Sequence, residues 1–355
     1  MNLKNKNVKK NLYKIKKINF KSKKKKEKKE EKKKLKLFLL YIFKLCIIMI
    51  SSQQCFEIYR FYHSYYYCYK CIENTNNLTS NCFSCPNEFL FRKLHIESEE
   101  NTLSEILKHN KSIARYGDGE FGIIIGNSIS FQRHTKELAK RLLQILNSHE
   151  KNLLVGIYYP YKEKQLKLYR DFEYRYWKSY TYHRKFKIFE IIKQNKKFYS
   201  TGITRFYLRF KDKLISKKLL SKLRQLWEGR DIILVEGEIS RQGVGNDLFN
   251  NANSIKRIIC PEKNSFDVYN KILNSVLKLN KNNLILISLG PTATVLAYDL
   301  SKLGYQAIDI GHTDLEYELL LRNETKWIFK NEKKEDVFGE EMVKYNNQII
   351  EKILN

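Results

Sequence analysis

Arg115-Tyr116-Gly117-Asp118-Gly119-Glu120 puts two carboxylates, an arginine and two glycines into one short stretch. In an extended segment side chains two apart share a face, so Asp118 and Glu120 can present both carboxylates to one cation, while Gly117 and Gly119 let a ligand approach the backbone. Hard divalent cations such as Mg²⁺ or Mn²⁺ take such oxygen ligands, completed by water and substrate phosphate, and Arg115 is then in reach of a phosphate oxygen. The same spacing also suits a solvated acidic turn after a strand. A second stretch, Val235 to Phe249, ends an apolar run in a glycine-containing loop with Glu236, Glu238, Arg241, Asn246 and Asp247. Loops beyond strand carboxyl ends line ligand clefts in open α/β sheets, although a plain turn with a helix cap at Asn246 or Asp247 fits the composition equally.

Two further stretches complete the set. Leu284 to Gly290, then Pro291-Thr292-Ala293-Thr294, a helix through Leu303, Gly304 and a strand to Ile310 read as one βαβ unit. Proline inside the helix start and glycine past its end follow the usual terminal asymmetry. The free N–H groups at that helix start make Gly290, Thr292 and Thr294 a candidate diphosphate-contacting or sugar-contacting edge. Asp309 to Glu318 then offers His312, which can serve as base or ligand near neutrality, at a strand's carboxyl end.

The elements that must hold these groups follow from the apolar pattern. Thr102-x-x-Glu105 reads as a capping box opening a helix with Leu103, Ile106 and Leu107 on one stripe; Leu138, Leu142, Ile145 and Leu146 mark a second helix. Ser112 to Tyr116 is extended, and strands are expected at Leu153–Ile157, Ile232–Glu236, Arg257–Cys260, Leu284–Leu289 and Ala307–Ile310. Several are continuous apolar runs, as strands covered on both faces require, and they alternate with helices. The expected fold is a mainly parallel, Rossmann-like α/β sheet with helices on both faces, over residues 93–335, followed by a C-terminal helix over 336–355.

Charge divides the 355-residue chain unevenly. The whole carries 67 Lys and Arg against 38 Asp and Glu, a net charge of +29, yet residues 1–36 hold eighteen lysines and three glutamates, a net +15. Residues 1–34 have too few large apolar side chains to offset chain entropy and are expected to be a disordered basic tail. Leu35 to Ile50 is apolar except for Lys36 and Lys44. With lysines before it and no small-residue cleavage site after it, residues 35–52 suit a signal anchor, giving a single-pass type II membrane protein with its later residues in a Golgi or secretory lumen. A leader on a cytoplasmic enzyme is the alternative. Residues 53–92 are a Tyr-rich and Cys-rich stem, in which Cys68, Cys71, Cys82 and Cys85 have knuckle spacing for zinc and would form disulfides in a lumen.

Together the four chemical stretches resemble the glycosyltransferase family with the GT-D fold, formerly a domain of unknown function. The resemblance covers roughly residues 98–330. It is carried by Ser112 to Phe121, Ile129-Ser130-Phe131-Gln132, Arg241 to Phe249, Leu289-Gly290-Pro291-Thr292-Ala293, Ala297-Tyr298-Asp299-Leu300 and Asp309-Ile310-Gly311-His312. It implies transfer of a hexose from a UDP-sugar to a saccharide acceptor, with Asp118 and Glu120 as the Asp-x-Glu pair binding Mn²⁺ or Mg²⁺ at the nucleotide diphosphate. Arg115, Gly117, Gly119, Arg205, Arg241, Asn246, Gly290, Thr292 and Thr294 are then candidates for nucleotide-sugar binding. A base for the acceptor hydroxyl is sought among Glu236, Glu238, Asp247 and His312, in that order. The competing readings are a nucleic-acid-binding protein with a zinc module and basic tail, and another nucleotide-dependent α/β enzyme such as a methyltransferase. Lysine-only tails give phosphate affinity without readout, so no specific nucleic-acid partner is expected, and the methyltransferase reading leaves Asp118 and Glu120 idle.

Overall fold

Strands five to seven residues long and mostly aliphatic bury on both sides, and here they assemble into one parallel sheet. The computed structural model describes residues 93–158, 167–193, 196–326 and 339–354. The basic tail, the anchor segment and the paired cysteines expected before residue 93 lie outside the described residues. In chain order the described elements are β1 (His95–Ile96), α1 (Glu99–His109), β2 (Ser112–Tyr116), α2 (Asp118–Ile124), α3 (Lys136–Leu146), β3 (Leu153–Ile157), α4 (Asp171–Ile191), β4 (Lys197–Ser200) and α5 (Lys213–Arg224). Then come β5 (Asp231–Gly237), β6 (Ser254–Cys260), α6 (Tyr269–Leu277), β7 (Leu284–Ser288), α7 (Pro291–Lys302), β8 (Gln306–Asp309), α8 (Thr313–Leu321), α9 (Glu340–Gln348) and β9 (Ile349–Lys352).

The sheet order is β1-β4-β3-β2-β8-β7-β5-β6-β9, and every described pairing is parallel. Crossovers run in both directions along it. Right-handed connections travelling in opposite directions leave their helices on opposite faces. Accordingly α1 packs on α5, while α3 and α6 each pack on α7. From β2 the chain leaves toward β3, and from β8 it leaves the other way toward β9, so the sheet has its switch point between β2 and β8.

Local chemistry explains most element boundaries. The stripe of α3 is fully buried at Leu138, Leu142 and Ile145, and Thr135 caps the helix by accepting the Leu138 N–H at 3.1 Å. Pro291 occupies the first position of α7, and Gly304 follows its end in the left-handed region at φ +87°. The helix expected to open at Thr102 starts a turn earlier. Ser98 accepts the Asn101 N–H at 3.1 Å, Glu99 and Glu100 supply the acidic first turn, and Thr102 accepts the Ser200 N–H at 2.9 Å to tie α1 to β4. The C-terminal segment is likewise not one helix. Its α9 ends at Gln348, and the β-branched pair Ile349-Ile350 continues as β9 along the edge of β6.

One buried ion pair lies inside the sheet. Arg257 of β6 donates to Glu236 of β5 at 2.5 Å, with the two side chains 2% and 0% exposed. Arg257 also donates to Gln348 at 2.7 Å and lies 5.0 Å from the ring centre of Tyr345, which fastens α9 to the sheet. Removing one member of such a pair strands the other charge away from water. Arg257→Met is expected to cost about 3–5 kcal/mol of unfolding free energy in urea titration, and Arg257→Met with Glu236→Gln to recover most of it.

Candidate active site at the strand carboxyl ends

A cleft of about 980 Å³ opens beyond the carboxyl ends of the strands, over the switch point. Its floor is a second ion pair. Arg115, near the end of β2, donates to Asp309, the last residue of β8, at 2.7 Å, and both side chains are almost enclosed. Arg115 also donates to the Thr201 carbonyl at 3.3 Å and to the Thr204 hydroxyl, so one guanidinium joins the ends of three strands. Gly311 is required where it passes: the residue has φ +48°, and a Cβ there would lie 2.1 Å from Arg115 Nη2. Burial pushes the Asp309 carboxyl up against the downward pull of Arg115.

Asp118 and Glu120 both line this cleft, but not from an extended segment. Gly117 is the cap of α2, and the two acids occupy the helix's first turn. Glu120 folds back to accept the Gly117 N–H at 2.7 Å, while Asp118 accepts the Tyr176 hydroxyl at 2.5 Å. Burial, with the negative charges of Asp309 and Asp118 adding to it, pushes the Glu120 carboxyl up to about 7. Asp118 and Glu120 bring two hard-oxygen carboxylates to one cleft, with the charge of Asp309 adding to theirs, which suits a divalent cation. Among the described residues no group of three or more His, Cys, Asp and Glu is arranged as a complete metal site. Asp118 and Glu120 would therefore hold a cation as a pair, leaving positions for water and phosphate oxygens, as Mg²⁺ sites commonly do.

The remaining candidates divide sharply. Gly117, Gly119, Arg205, Gly290 and His312 line the cleft. Arg205 Nη2 donates to His312 Nδ1 at 3.2 Å. Because a guanidinium nitrogen can only donate, Nδ1 is the acceptor and the proton of the neutral ring sits on Nε2. His312 is thus a donor in this arrangement and not a base. Gly290, at φ +55°, is held open by Phe131, whose ring would lie 2.4 Å from a Cβ there.

The other sequence candidates lie off the cleft lining. Glu236, first choice as base, is the fully buried partner of Arg257 and also accepts the Gln242 N–H at 2.7 Å. Glu238 is exposed and does not line the cleft. Asp247 accepts the Tyr317 hydroxyl at 2.5 Å and pairs with Arg224 at 3.5 Å. Arg241, at φ +41°, and Asn246 also lie off the cleft lining; Asn246 donates to Asp314 at 2.8 Å and to Glu318 at 2.5 Å. The glycine-containing loop thus lines the cleft only at its start, through Gly237, Ile239 and Ser240, while Gly243 and Asn246 farther on are bonded to α8. Thr292 and Thr294 are fully buried, and Thr294 donates to the Arg115 carbonyl at 2.9 Å.

Sequence reasoning missed the wall formed by α4. Phe172, Glu173, Tyr176 and Trp177 line the cleft, and Tyr158 after β3 stacks on Trp177 with ring centres 3.6 Å apart. It missed Arg209 as well, a buried arginine 4.2 Å from the Tyr158 ring centre. The segment carrying Arg205 and Arg209 is fixed by Glu316 of α8, which accepts the Tyr207 and Leu208 N–H groups at 2.8 Å each.

The family model described as glycosyltransferase GT-D fold matches residues 113–336. The chain is 35% identical over 269 residues to glycosyltransferase GlyD of Streptococcus pneumoniae serotype 4, covering 74% of this chain and 33% of that protein. It is 40% identical over 227 residues to the probable glycosyl transferase Gly of Streptococcus gordonii, covering 64% of this chain and 33% of that one. The chain therefore spans about a third of the length of these two relatives. Among solved structures, domain of unknown function 1792, described as having a distinct glycosyltransferase fold, superposes with a TM-score of 0.70 at 35% identity, over 76% of this chain and 99% of that one. A glycosyltransferase structure of the same domain from Streptococcus sanguinis gives 0.68 at 34% identity, over 73% and 99%.

The raised Glu120 carboxyl makes a pH prediction. Folding favours its protonated form, so the stability it contributes is fully present below its ordinary value near 4.5 and is lost as pH rises to about 7. Melting temperature measured without divalent cations should contain a component that declines over this window, and Glu120→Gln should remove that component.

Proposed function

The chain belongs to the GT-D-fold glycosyltransferase family, and from that premise we propose that it moves a hexose from a UDP-sugar to a saccharide acceptor with Mn²⁺ or Mg²⁺ held by Asp118 and Glu120. For residues 113–336 family membership replaces the nucleic-acid-binding and methyltransferase readings. The observation carrying the proposal is the acid pair at the switch point, an exposed Asp118 beside a half-buried Glu120, facing a cleft that also exposes cationic groups. Breaking the bond between the anomeric carbon and the diphosphate leaves negative charge on the departing oxygens. Groups placed to meet that charge stabilise the transition state more than the ground state.

Arg205 and the Nε2–H of His312 are suited to donate to those oxygens, since both line the cleft and are already aligned by their mutual bond. Arg115 contributes fixed positive charge and holds the β2 and β8 ends in register. A bound divalent cation would supply Lewis-acid neutralisation of the leaving diphosphate. Tyr176 keeps the Asp118 carboxylate oriented.

Membrane attachment through residues 35–52, with the basic tail on the cytosolic side and the enzyme domain in a lumen, is supported by sequence alone. No helix of the described residues is long and apolar enough to cross a membrane. Alkaline carbonate extraction of expressing cells should leave the full chain in the membrane pellet, and deletion of residues 35–52 should move it to the supernatant.

The donor chemistry is tested by incubating the full chain with a panel of UDP-hexoses and Mn²⁺ and following UDP release. Release is expected to stop with EDTA and to fall by about 10²–10³-fold or more in Asp118→Ala, the loss typical when a charge-stabilising group is removed. Release that is indifferent to both would remove the proposed role of the acid pair.

A further inference from the structure

The cleft needs a group to accept the acceptor's hydroxyl proton, and the candidates visible in sequence do not supply one: Glu236, Glu238 and Asp247 lie off the cleft, and His312 is a donor. The carboxylates that do line the cleft can be sorted by what already occupies them. Asp118 and Glu120 form the cation pair of the preceding proposal. Asp309 is paired with Arg115. Glu316 is 1% exposed and accepts two backbone N–H groups. Glu262 follows β6, which lies four strand spacings from β2, roughly 19 Å across the sheet. Glu173 remains.

Glu173 is half-buried on the α4 wall. The Trp177 indole N–H donates to its Oε2 at 2.8 Å, which fixes the carboxylate, and among the described residues no hydrogen bond engages Oε1. Residues three apart on a helix have Cβ atoms about 5–6 Å apart, so Glu173 stands beside Tyr176, whose hydroxyl touches Asp118. Glu173 thus lines the same cleft as the acid pair, with Tyr176 reaching from its helix to Asp118, without belonging to the pair. Tyr176 is 49% exposed, and with Phe172 it gives that wall apolar ring surface beside a hydrogen-bonding acid. An apolar face with a few placed polar groups is what a sugar ring, with its C–H faces and hydroxyl rim, can use.

We infer that the α4 wall is the acceptor subsite and that Glu173 is the base that takes the acceptor hydroxyl proton. The inference rests on the nucleotide-sugar reading above. In a direct displacement the acceptor oxygen bonds to the anomeric carbon as the bond from that carbon to the diphosphate oxygen breaks. The bonding electron pair leaves with the diphosphate, and the hydroxyl proton passes to Oε1 of Glu173, which later releases it to solvent.

Glu173→Gln tests this cleanly, because the amide oxygen can still accept the Trp177 N–H and keep the helix in place. Using the full chain, UDP-hexose donors, p-nitrophenyl hexosides as acceptors and Mn²⁺, kcat for transfer should fall by about 10²–10⁴-fold. Affinity for UDP, measured by calorimetry, should stay within about twofold of wild type, separating a lost chemical step from lost binding. Glu173→Ala should regain turnover with added formate as an external base. Transfer retained in Glu173→Gln, or lost together with UDP affinity, would overturn the assignment of the base while leaving the donor reading intact. A wild-type chain that neither binds UDP nor transfers would overturn the donor reading itself, and this inference with it.

Discussion

Two opposite charges enclosed at the middle of a parallel sheet hold the cleft end of this domain together. Arg115 and Asp309 sit where the chain turns away in opposite directions from β2 and β8, the place where a crevice must form. Neither charge is tolerable there alone, since desolvation is expensive and only a close, hydrogen-bonded partner offsets it. Their geometry then dictates its surroundings. Gly311 must lack a side chain, Thr294 must bond the Arg115 carbonyl, and the turn after β4 must offer Thr201 and Thr204.

A second buried pair, Arg257 and Glu236, shows how little burial alone says about role. Both pairs lie on neighbouring strands of one sheet. The Arg257 pair is closed off by Gln242, Gln348 and Tyr345 and stitches the edge of the sheet to α9. The Arg115 pair borders open space, where burial, with the charge of Asp309 adding to it, raises the Glu120 carboxyl. Access to solvent and to further acids separates a structural ion pair from one that shapes chemistry.

The glycine-containing loop after β5 and the helix α8 illustrate the same point in reverse. Asp314 accepts from Gly243 and Asn246, and Glu316 accepts from Tyr207 and Leu208. Asp314 thereby fixes the loop after β5, and Glu316, although it lines the cleft, spends an oxygen on the backbone that presents Arg205 and Arg209. The family relationship extends over this whole arrangement, from residue 113 to 336.

The sequence by itself determined the parallel sheet and its main strands, because short aliphatic runs at β3, β5 and β7, alternating with helices, suit strands buried on both faces. It also determined the βαβ unit of α7, through Pro291 and Gly304, and singled out Asp118 and Glu120 by their spacing beside glycines. Only the tertiary structure decided which polar residues face the cleft. Glu236 reads as a strand-end acid, but its partner Arg257 comes from the next strand, 21 residues on, a pairing that no local pattern encodes. Helix α4 carries aromatic and charged residues without an apolar stripe, so Glu173 and Tyr176 gave no periodic signal. Their position follows from how the chain packs over the end of β2, where Tyr176 meets an acid 58 residues away.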